Sequence, residues 1–450
     1  MPHTLLLQNI RHLVTVNDTD QILQHVNLHA TDGVIDSIGP ASPPADVTLD
    51  ASDMAVYPGL INTHHHLYQI LTRNLPQVQN LALFDWLKAL YGIWRNLTET
   101  GVYAASAAGM GELAKYGCTT VFDHHYVFPE GTGDLIAAQF QAAQAIGVRM
   151  VASRGSMSLS QKDGGLPPDS VVQTVDAILR DSTRLVETYH DPAPFAMRQI
   201  VLAPCSPFSV SEALMVETAK LARSLGVRLH THLAETRDEE NYVLEKTGLR
   251  PLAYMEKLGW LGKDVWFAHG IHFTADELRQ LARTGTGVAH CPASNMKLCS
   301  GVARIPEMLA MGVPVGLAVD GSASNDGSNL LSEIRTAYLL HRLTYGSQAP
   351  SGYDMLKIAT RGSASVLGRA DIGHLAPGMA ADLFMVREDQ LALAGGTCDI
   401  GAMLATVGLA APVDYTIVGG RIIVANGRLI AKDEEALARN VAQEARKMMA

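Results

Sequence analysis

The stretch Val56-Tyr57-Pro58-Gly59-Leu60-Ile61-Asn62-Thr63-His64-His65-His66 runs from apolar residues straight into three histidines. Read physically, a short buried strand delivers imidazoles to its carboxyl end. Alternate strand positions share a face, so His64 and His66 converge on one point while His65 faces away. That is a metal-site geometry. An artificial tag would sit at a terminus and would not follow a Pro-Gly turn and an apolar strand.

Beyond Pro58, apolar strands alternate with helical stretches, the pattern of βα units and a parallel sheet. Strands are expected at 59–63, 119–123, 148–153, 200–204, 227–231, 265–268, 287–290 and 314–319. Helices are expected at 102–116, 135–145, 170–189, 211–224, 239–246, 275–283 and 304–311. Eight parallel strands with helices between them close into a (β/α)8, or TIM, barrel. Outside this region the text changes to short strands and turns: 4–7, 12–16 and 33–38 at one end, 381–386, 415–418, 421–424 and 428–430 at the other. Gly419-Gly420 and Asn426-Gly427 separate the last three, and tight hairpins favour both dipeptides. The α/β chain is therefore expected to pair residues 1–57 with 376–450 in a small β-sandwich, beside a catalytic barrel of residues 58–375. The stretch 433–449 reads as a charged, Ala-rich helix.

Composition limits the function. With 450 residues, 47% hydrophobic and 18% charged, the chain matches a soluble globular enzyme whose apolar content suits a sheet buried on both faces. The net charge of -10 and the absence of clustered Lys and Arg argue against a nucleic-acid partner. Met1-Pro2-His3-Thr4-Leu5-Leu6-Leu7 lacks the basic start of a signal peptide, and no apolar run approaches the ~20 residues of a membrane span. Five scattered cysteines (Cys118, Cys205, Cys291, Cys299, Cys398) form neither a disulfide framework nor a CxxC zinc site. A cytoplasmic location is expected.

Barrel enzymes place their working residues at the carboxyl ends of strands. His64 and His66 end the first strand. The fifth gives Leu229-His230-Thr231-His232-Leu233-Ala234-Glu235, the sixth ends at His269 and the eighth at Asp320. Three neutral imidazoles and a carboxylate suit a borderline divalent ion, zinc above all, although iron accepts the same set. A metal can lower the pKa of water from ~15.7 to about 7. Glu235, three residues past His232, is placed as a proton shuttle, and His269 to polarise or anchor a developing oxygen. Taken singly these residues say little, since a lone histidine is more often structural and a strand-end Asp often only caps a helix. Their coincidence at the ends of strands one, five, six and eight carries the reading. His230 is expected to alternate away from His232, and His124, His125, His272 and His290 to line the mouth or satisfy backbone groups. Phe84 and Trp86 read as walls or lid residues, with a core role as the alternative.

Five motifs together resemble the amidohydrolase superfamily, in its cytosine and guanine deaminase-like branch. They are Pro-Gly-Leu-Ile-Asn-Thr-His-His-His at 58–66, His-Thr-His-Leu-Ala-Glu-Thr at 230–236, Ala-His-Gly at 268–270, His-Cys-Pro-Ala-Ser-Asn at 290–295 and Val-Asp-Gly-Ser-Ala-Ser-Asn at 319–325. The resemblance spans the whole chain. It implies one metal ion held by His64, His66, His232 and Asp320, with Glu235 and His269 catalytic and Asp320 also accepting a proton from water. Further stretches, His-His-His-Leu-Tyr-Gln-Ile-Leu-Thr-Arg at 64–73, Phe-Asp-His-His-Tyr-Val-Phe-Pro at 122–129 and Leu-Ala-Pro-Cys-Ser-Pro-Phe-Ser at 202–209, are similar to the 8-oxoguanine deaminases of that branch. That similarity implies hydrolysis of 8-oxoguanine to urate and ammonia. It also implies a homo-oligomer, because such relatives commonly assemble.

Gln69 matches the glutamine with which guanine deaminases read the base edge, and a carboxamide offers one acceptor and two donors for a carbonyl and an adjacent ring nitrogen. Cys205 departs from the pattern, since guanine deaminases carry arginine after the fourth strand and many other relatives histidine. The base is thus not held as in ordinary guanine deaminase. Gln69, Cys205 and Trp86 are the expected substrate contacts. The alternatives are a related aminohydrolase acting on guanine, isocytosine, an s-triazine or another amino-heterocycle, and a non-catalytic metal-binding scaffold, which would have no need of Glu235. GxSxG, Walker A, GxGxxG, HExxH and HxE with PCxxC are all missing from the sequence.

Overall fold

In the computed structural model, which describes residues 3–450, two sheets organise the chain. The first begins with β1 (Thr4–Val14), β2 (Ile22–Thr31), β3 (Val34–Gly39), β4 (Val47–Asp50) and β5 (Met54–Pro58). The barrel follows as β6 (Leu60–Asn62), β7 (Cys118–Asp123), β8 (Arg149–Ser156), β9 (Arg198–Pro204), β10 (Arg228–Leu233), β11 (Val265–His269), β12 (Gly287–His290) and β13 (Val315–Leu317). The chain then returns to the first sheet with β14 (Leu383–Arg387), β15 (Tyr415–Val418), β16 (Arg421–Ala425) and β17 (Arg428–Leu429).

The terminal segments form one nine-stranded mixed sheet, ordered β17-β16-β15-β14-β5-β1-β2-β3, with β4 on β1. β5 joins the two ends of the chain: it runs parallel to β1 and antiparallel to β14. Two short strands expected near the N-terminus are one long strand, because polar Gln8-Asn9 makes a bulge and not a turn. The register with β2 shifts between Leu7 and Ile10, and Asn9 takes a left-handed φ of 58°.

Each barrel strand pairs parallel with its sequence neighbour, from β6 to β13. Gly59 is required at the entry, since a Cβ there would fall 2.2 Å from Thr119 Oγ1 on the neighbouring strand. The gap between β13 and β6 is laced by Thr63 N–H to the Leu317 carbonyl (3.2 Å), Val319 N–H to Asn62 Oδ1 (2.9 Å) and Asp320 N–H to the His64 carbonyl (3.1 Å). This lacing sets the end of the first strand beside the end of the eighth, which places His64 next to Asp320.

Helices pack outside the barrel. One that the sequence reading did not anticipate, α1 (Leu83–Trp94), lies over the barrel mouth with Leu83, Trp86 and Leu87 on its inward face. Its i, i+3, i+4 spacing is that of one helical stripe. No helix among the described residues is long and apolar enough to cross a membrane.

Barrel and terminal sheet are pinned by a buried ion pair, Arg149 Nε to Asp382 Oδ2 at 2.6 Å and Nη2 to Oδ1 at 3.0 Å. Removing one partner strands a buried charge, which typically costs ~3–5 kcal/mol. Asp382→Ala is expected to lower the unfolding free energy by that amount, read as a lower urea midpoint at unchanged slope, without changing metal content, as checked by denaturation curves and elemental analysis on one preparation.

Candidate active site

The predicted residues at the ends of β6, β10, β11 and β13 come together in one buried cluster. His66 Nε2 lies 3.1 Å from His232 Nε2, and Asp320 Oδ1 lies 3.3 Å from both His64 Nε2 and His66 Nε2. His65 points elsewhere, with its Nε2 3.0 Å from Ser328 Oγ.

Hydrogen bonds behind the cluster fix where each imidazole keeps its proton. His66 Nδ1 donates to the His124 carbonyl (2.7 Å) and His232 Nδ1 to the Cys205 carbonyl (2.6 Å). His230 Nδ1 donates to the Trp266 carbonyl (3.0 Å), so its Nε2 must accept from His64 Nδ1 at 2.9 Å. A carbonyl can only accept, and a neutral imidazole has one donor and one acceptor. All three Nε2 atoms therefore present lone pairs to the same point, as metal-ligating histidines do. Burial favours this neutral form, pushing His64 down to about 3 and His232 well below the usual histidine range.

The cluster fits a divalent cation. Two lone pairs facing each other at 3.1 Å repel unless a positive charge lies between them. A tetrahedron with bonds of ~2.0–2.1 Å has edges of roughly 3.3 Å, close to the three separations above. His64 Nε2 has no hydrogen-bond partner although it is buried.

Glu235 and His269 adjoin the cluster. Glu235 Oε2 lies 3.5 Å from His269 Nε2, and Ser300 Oγ donates to Glu235 Oε1 at 3.3 Å. Burial raises the Glu235 carboxyl above its ordinary value. Burial also acts to lower His269, but the facing carboxylates of Glu235 and Asp320 outweigh it and the net shift is upward. Desolvation pushes Asp320 up as well, and its contacts with His64 and His66 overcome this to hold it well below the usual carboxylate range. Ser294 Oγ donates to Asp320 Oδ2 at 2.5 Å, and Asn295 Oδ1 accepts from His269 Nδ1 at 2.8 Å.

Three non-glycine residues at these strand ends adopt left-handed backbone: Ala234 (φ 55°), His269 (φ 71°) and Asp320 (φ 63°). Such strain costs of order 1–3 kcal/mol each and collects at functional sites. Around Ala234 the constraint is visible, because Glu239 accepts from Ala234 N–H (2.9 Å) and Glu235 N–H (2.8 Å), while the Ala234 carbonyl accepts from the N–H groups of Ile271 and His272 (both 2.9 Å).

A small cavity opens beside the cluster. It is bounded by His66, His232, Glu235, His269 and Asp320 on one side and by Gln69, Trp86, Tyr126, Cys205 and Phe208 on others. All three expected substrate contacts, Gln69, Cys205 and Trp86, thus line it, whereas Phe84 packs on Phe208 with ring centroids 5.0 Å apart. Gln69 is seated on Gly321, where a Cβ would fall 1.8 Å from Gln69 Oε1. Gly321→Ala is therefore expected to displace the carboxamide and reduce kcat/KM ~5- to 100-fold, since the lost hydrogen bonds are worth about 1–3 kcal/mol. Its metal content should stay at the wild-type level, and steady-state kinetics with elemental analysis checks both.

One expectation needs correction. His230 does not turn away from His232, because residues two apart on a strand share a face, and His230 contacts His64 directly. Two helpers were not foreseen. Glu239 was readable in Thr236-x-x-Glu239, a capping-box pattern, although its carboxylate goes to Ala234 and Glu235 and not back to Thr236. Asn295 lies inside a recognised motif, but nothing in its spacing tied it to His269.

A buried histidine and aspartate cluster at the carboxyl end of a (β/α)8 barrel defines a metal-dependent hydrolase. The chain belongs to the amidohydrolase family, whose sequence profile matches residues 55–423. It is 48% identical to an 8-oxoguanine deaminase of Pseudomonas aeruginosa over 398 residues, 88% of each chain. It is 41% identical to the hydroxydechloroatrazine ethylaminohydrolase of Pseudomonas sp. strain ADP, covering 97% of this chain and 94% of that one. A crystal structure of atrazine chlorohydrolase from Arthrobacter aurescens TC1 complexed with zinc superposes with a TM-score of 0.94 at 32% identity, covering 98% of this chain and 100% of that one. The protein is a metal-dependent aminohydrolase of the deaminase type.

Proposed function

We propose that the enzyme hydrolyses 8-oxoguanine to urate and ammonia with one divalent ion, zinc, held by His64, His66, His232 and Asp320. The observation that carries the reading is the cavity that joins Glu235, His269 and the histidine and aspartate cluster to Gln69, together with 48% identity to a curated 8-oxoguanine deaminase. When bound, the ion supplies Lewis acidity and lowers the pKa of a coordinated water toward 7.

The chain's own groups do the rest. Gln69 holds the ring by a carbonyl and its neighbouring nitrogen. Glu235, whose carboxyl burial raises above its ordinary value, gives a proton to the ring nitrogen beside the amino-bearing carbon, which makes that carbon more electrophilic. Asp320 takes the proton released by the attacking water, steadied by the hydroxyl of Ser294. His269, whose Nδ1 already donates to Asn295, stabilises the developing oxygen by donating from Nε2 in its imidazolium form, which the neighbouring carboxylates of Glu235 and Asp320 favour. The C–N bond to the amino group then breaks as the departing nitrogen gains the proton held at Asp320, and the remaining proton of the added hydroxyl returns to Glu235, which leaves the ring carbonyl and ammonia and restores both carboxyl groups.

A second reading keeps this machinery and changes the ring to an s-triazine, favoured by 41% identity to an aminohydrolase whose name specifies a dechlorinated triazine. Ammonia release from 8-oxoguanine, guanine, isocytosine and aminotriazines by the purified holoenzyme decides between them. The proposal expects the highest kcat/KM for 8-oxoguanine, and a different preferred ring would overturn it.

A further inference from the structure

The indole nitrogen of Trp86 is a buried donor with no partner. The residue is 3% exposed, and its Nε1 has no hydrogen bond to any protein group. An indole N–H can only donate, and a buried donor left unmade is costly, so native proteins seldom keep one without a use. Trp86 also lines the catalytic cavity. An acceptor on the bound molecule would supply its missing partner.

The cavity indicates what kind of acceptor that is. Its wall away from the ligand cluster is made of Leu83, Trp86, Leu87, Tyr126, Cys205 and Phe208, none of them cationic at neutral pH. Phosphate and carboxylate groups are recognised by Arg or Lys or by several N–H donors together, which this wall lacks. Neutral donors alone, the Trp86 indole N–H with the Tyr126 hydroxyl and the Cys205 thiol, suit a carbonyl oxygen and not an anion. Position adds a second constraint. Gln69 rests on Gly321, the residue next to Asp320, and so reads the ring near the reacting carbon. Trp86 comes from α1, outside the barrel, whereas Gln69 follows the first barrel strand, so the two reach the cavity from different elements and are free to read different edges of a ring.

We infer that Trp86 is a specificity-determining residue that selects purines oxidised at carbon 8, by donating its indole N–H to the carbonyl farthest from the amino-bearing carbon. The inference rests on the purine reading proposed above. It gives a pocket with Cys205 in place of a cationic side chain a means of discriminating among purines, since selection passes to a neutral donor.

Two matched pairs of ligands isolate that carbonyl. 8-Oxoguanine and guanine differ at carbon 8, and so do urate and xanthine, which carry no exocyclic amine and are not turned over. In the zinc-loaded wild type, urate is expected to bind at least ~10-fold more tightly than xanthine. In Trp86→Phe, which keeps the aromatic face and removes the N–H, that ratio of Kd values should fall to within about 3-fold. The ratio of kcat/KM for 8-oxoguanine over guanine should fall ~10- to 100-fold. A packing role would weaken both members of each pair together and leave the ratios unchanged, which overturns the inference, as does a wild type that binds urate and xanthine equally. The wild-type comparison stands even where the variant folds poorly. Discrimination of urate from xanthine without turnover of 8-oxoguanine would overturn the proposed function and leave the role of Trp86 supported.

Discussion

Glu235→Gln is expected to lower kcat by ~100- to 10,000-fold, the range that a positioned general acid contributes, while the protein keeps its metal. Glutamine preserves the volume and the contact with Ser300 but has no proton to transfer. The loss should appear in kcat and kcat/KM alike, as for an interaction made only in the transition state. The pH profile makes the test sharper. Burial raises the Glu235 carboxyl, so its protonated form persists above the ordinary glutamate range. If that form is the working one, kcat/KM falls as pH rises through the raised pKa, and this limb should vanish in the variant. Loss of metal from Glu235→Gln would mean that the carboxylate is a ligand and not a shuttle.

His66→Ala and His65→Ala should behave in opposite ways despite being neighbours. His66 Nε2 sits 3.3 Å from Asp320 Oδ1 and 3.1 Å from His232 Nε2, so its removal should leave less than about one-tenth of the metal, because three donors hold an ion far less tightly than four, and abolish turnover. His65 bonds only Ser328 through its ring, and its alanine variant should retain metal and at least about a fifth of the activity, given the ~1 kcal/mol worth of one such bond. Elemental analysis of the two purified variants checks the contrast directly. Metal lost from His65→Ala and kept by His66→Ala would refute the alternation on which the site was first read.

Much of this site was legible because it sits where a local rule acts. Strand ends of a parallel barrel converge, and side chains alternate, so His64, His66, His232, His269 and Asp320 were all readable from position. The alternation even outlasts the strand, since β6 stops at Asn62 and His66 already caps the short 3-10 helix that follows, yet His64 and His66 still meet while His65 points elsewhere. The same rule, applied consistently, would have placed His230 on the inner face with His232. What stayed hidden depends on distant contacts. The bulge at Asn9 looks like a break in a strand until β2 is seen to pair across it. α1 begins at Ala82 without a side-chain cap, and only the barrel mouth beneath it gives its apolar stripe something to cover. The tautomers of His64, His66 and His232 are likewise set by carbonyls of His124, Cys205 and Trp266, which no local pattern brings together.

The central claim is that one ion, held by three imidazoles and a carboxylate, is the core of an aminohydrolase acting on 8-oxoguanine. Metal-stripped enzyme titrated with zinc, with ammonia release from 8-oxoguanine followed at each addition, tests it most directly. Activity rising linearly and levelling at one equivalent per chain is the predicted result. Full activity without metal, a break at two equivalents, or no ammonia at any loading would contradict it.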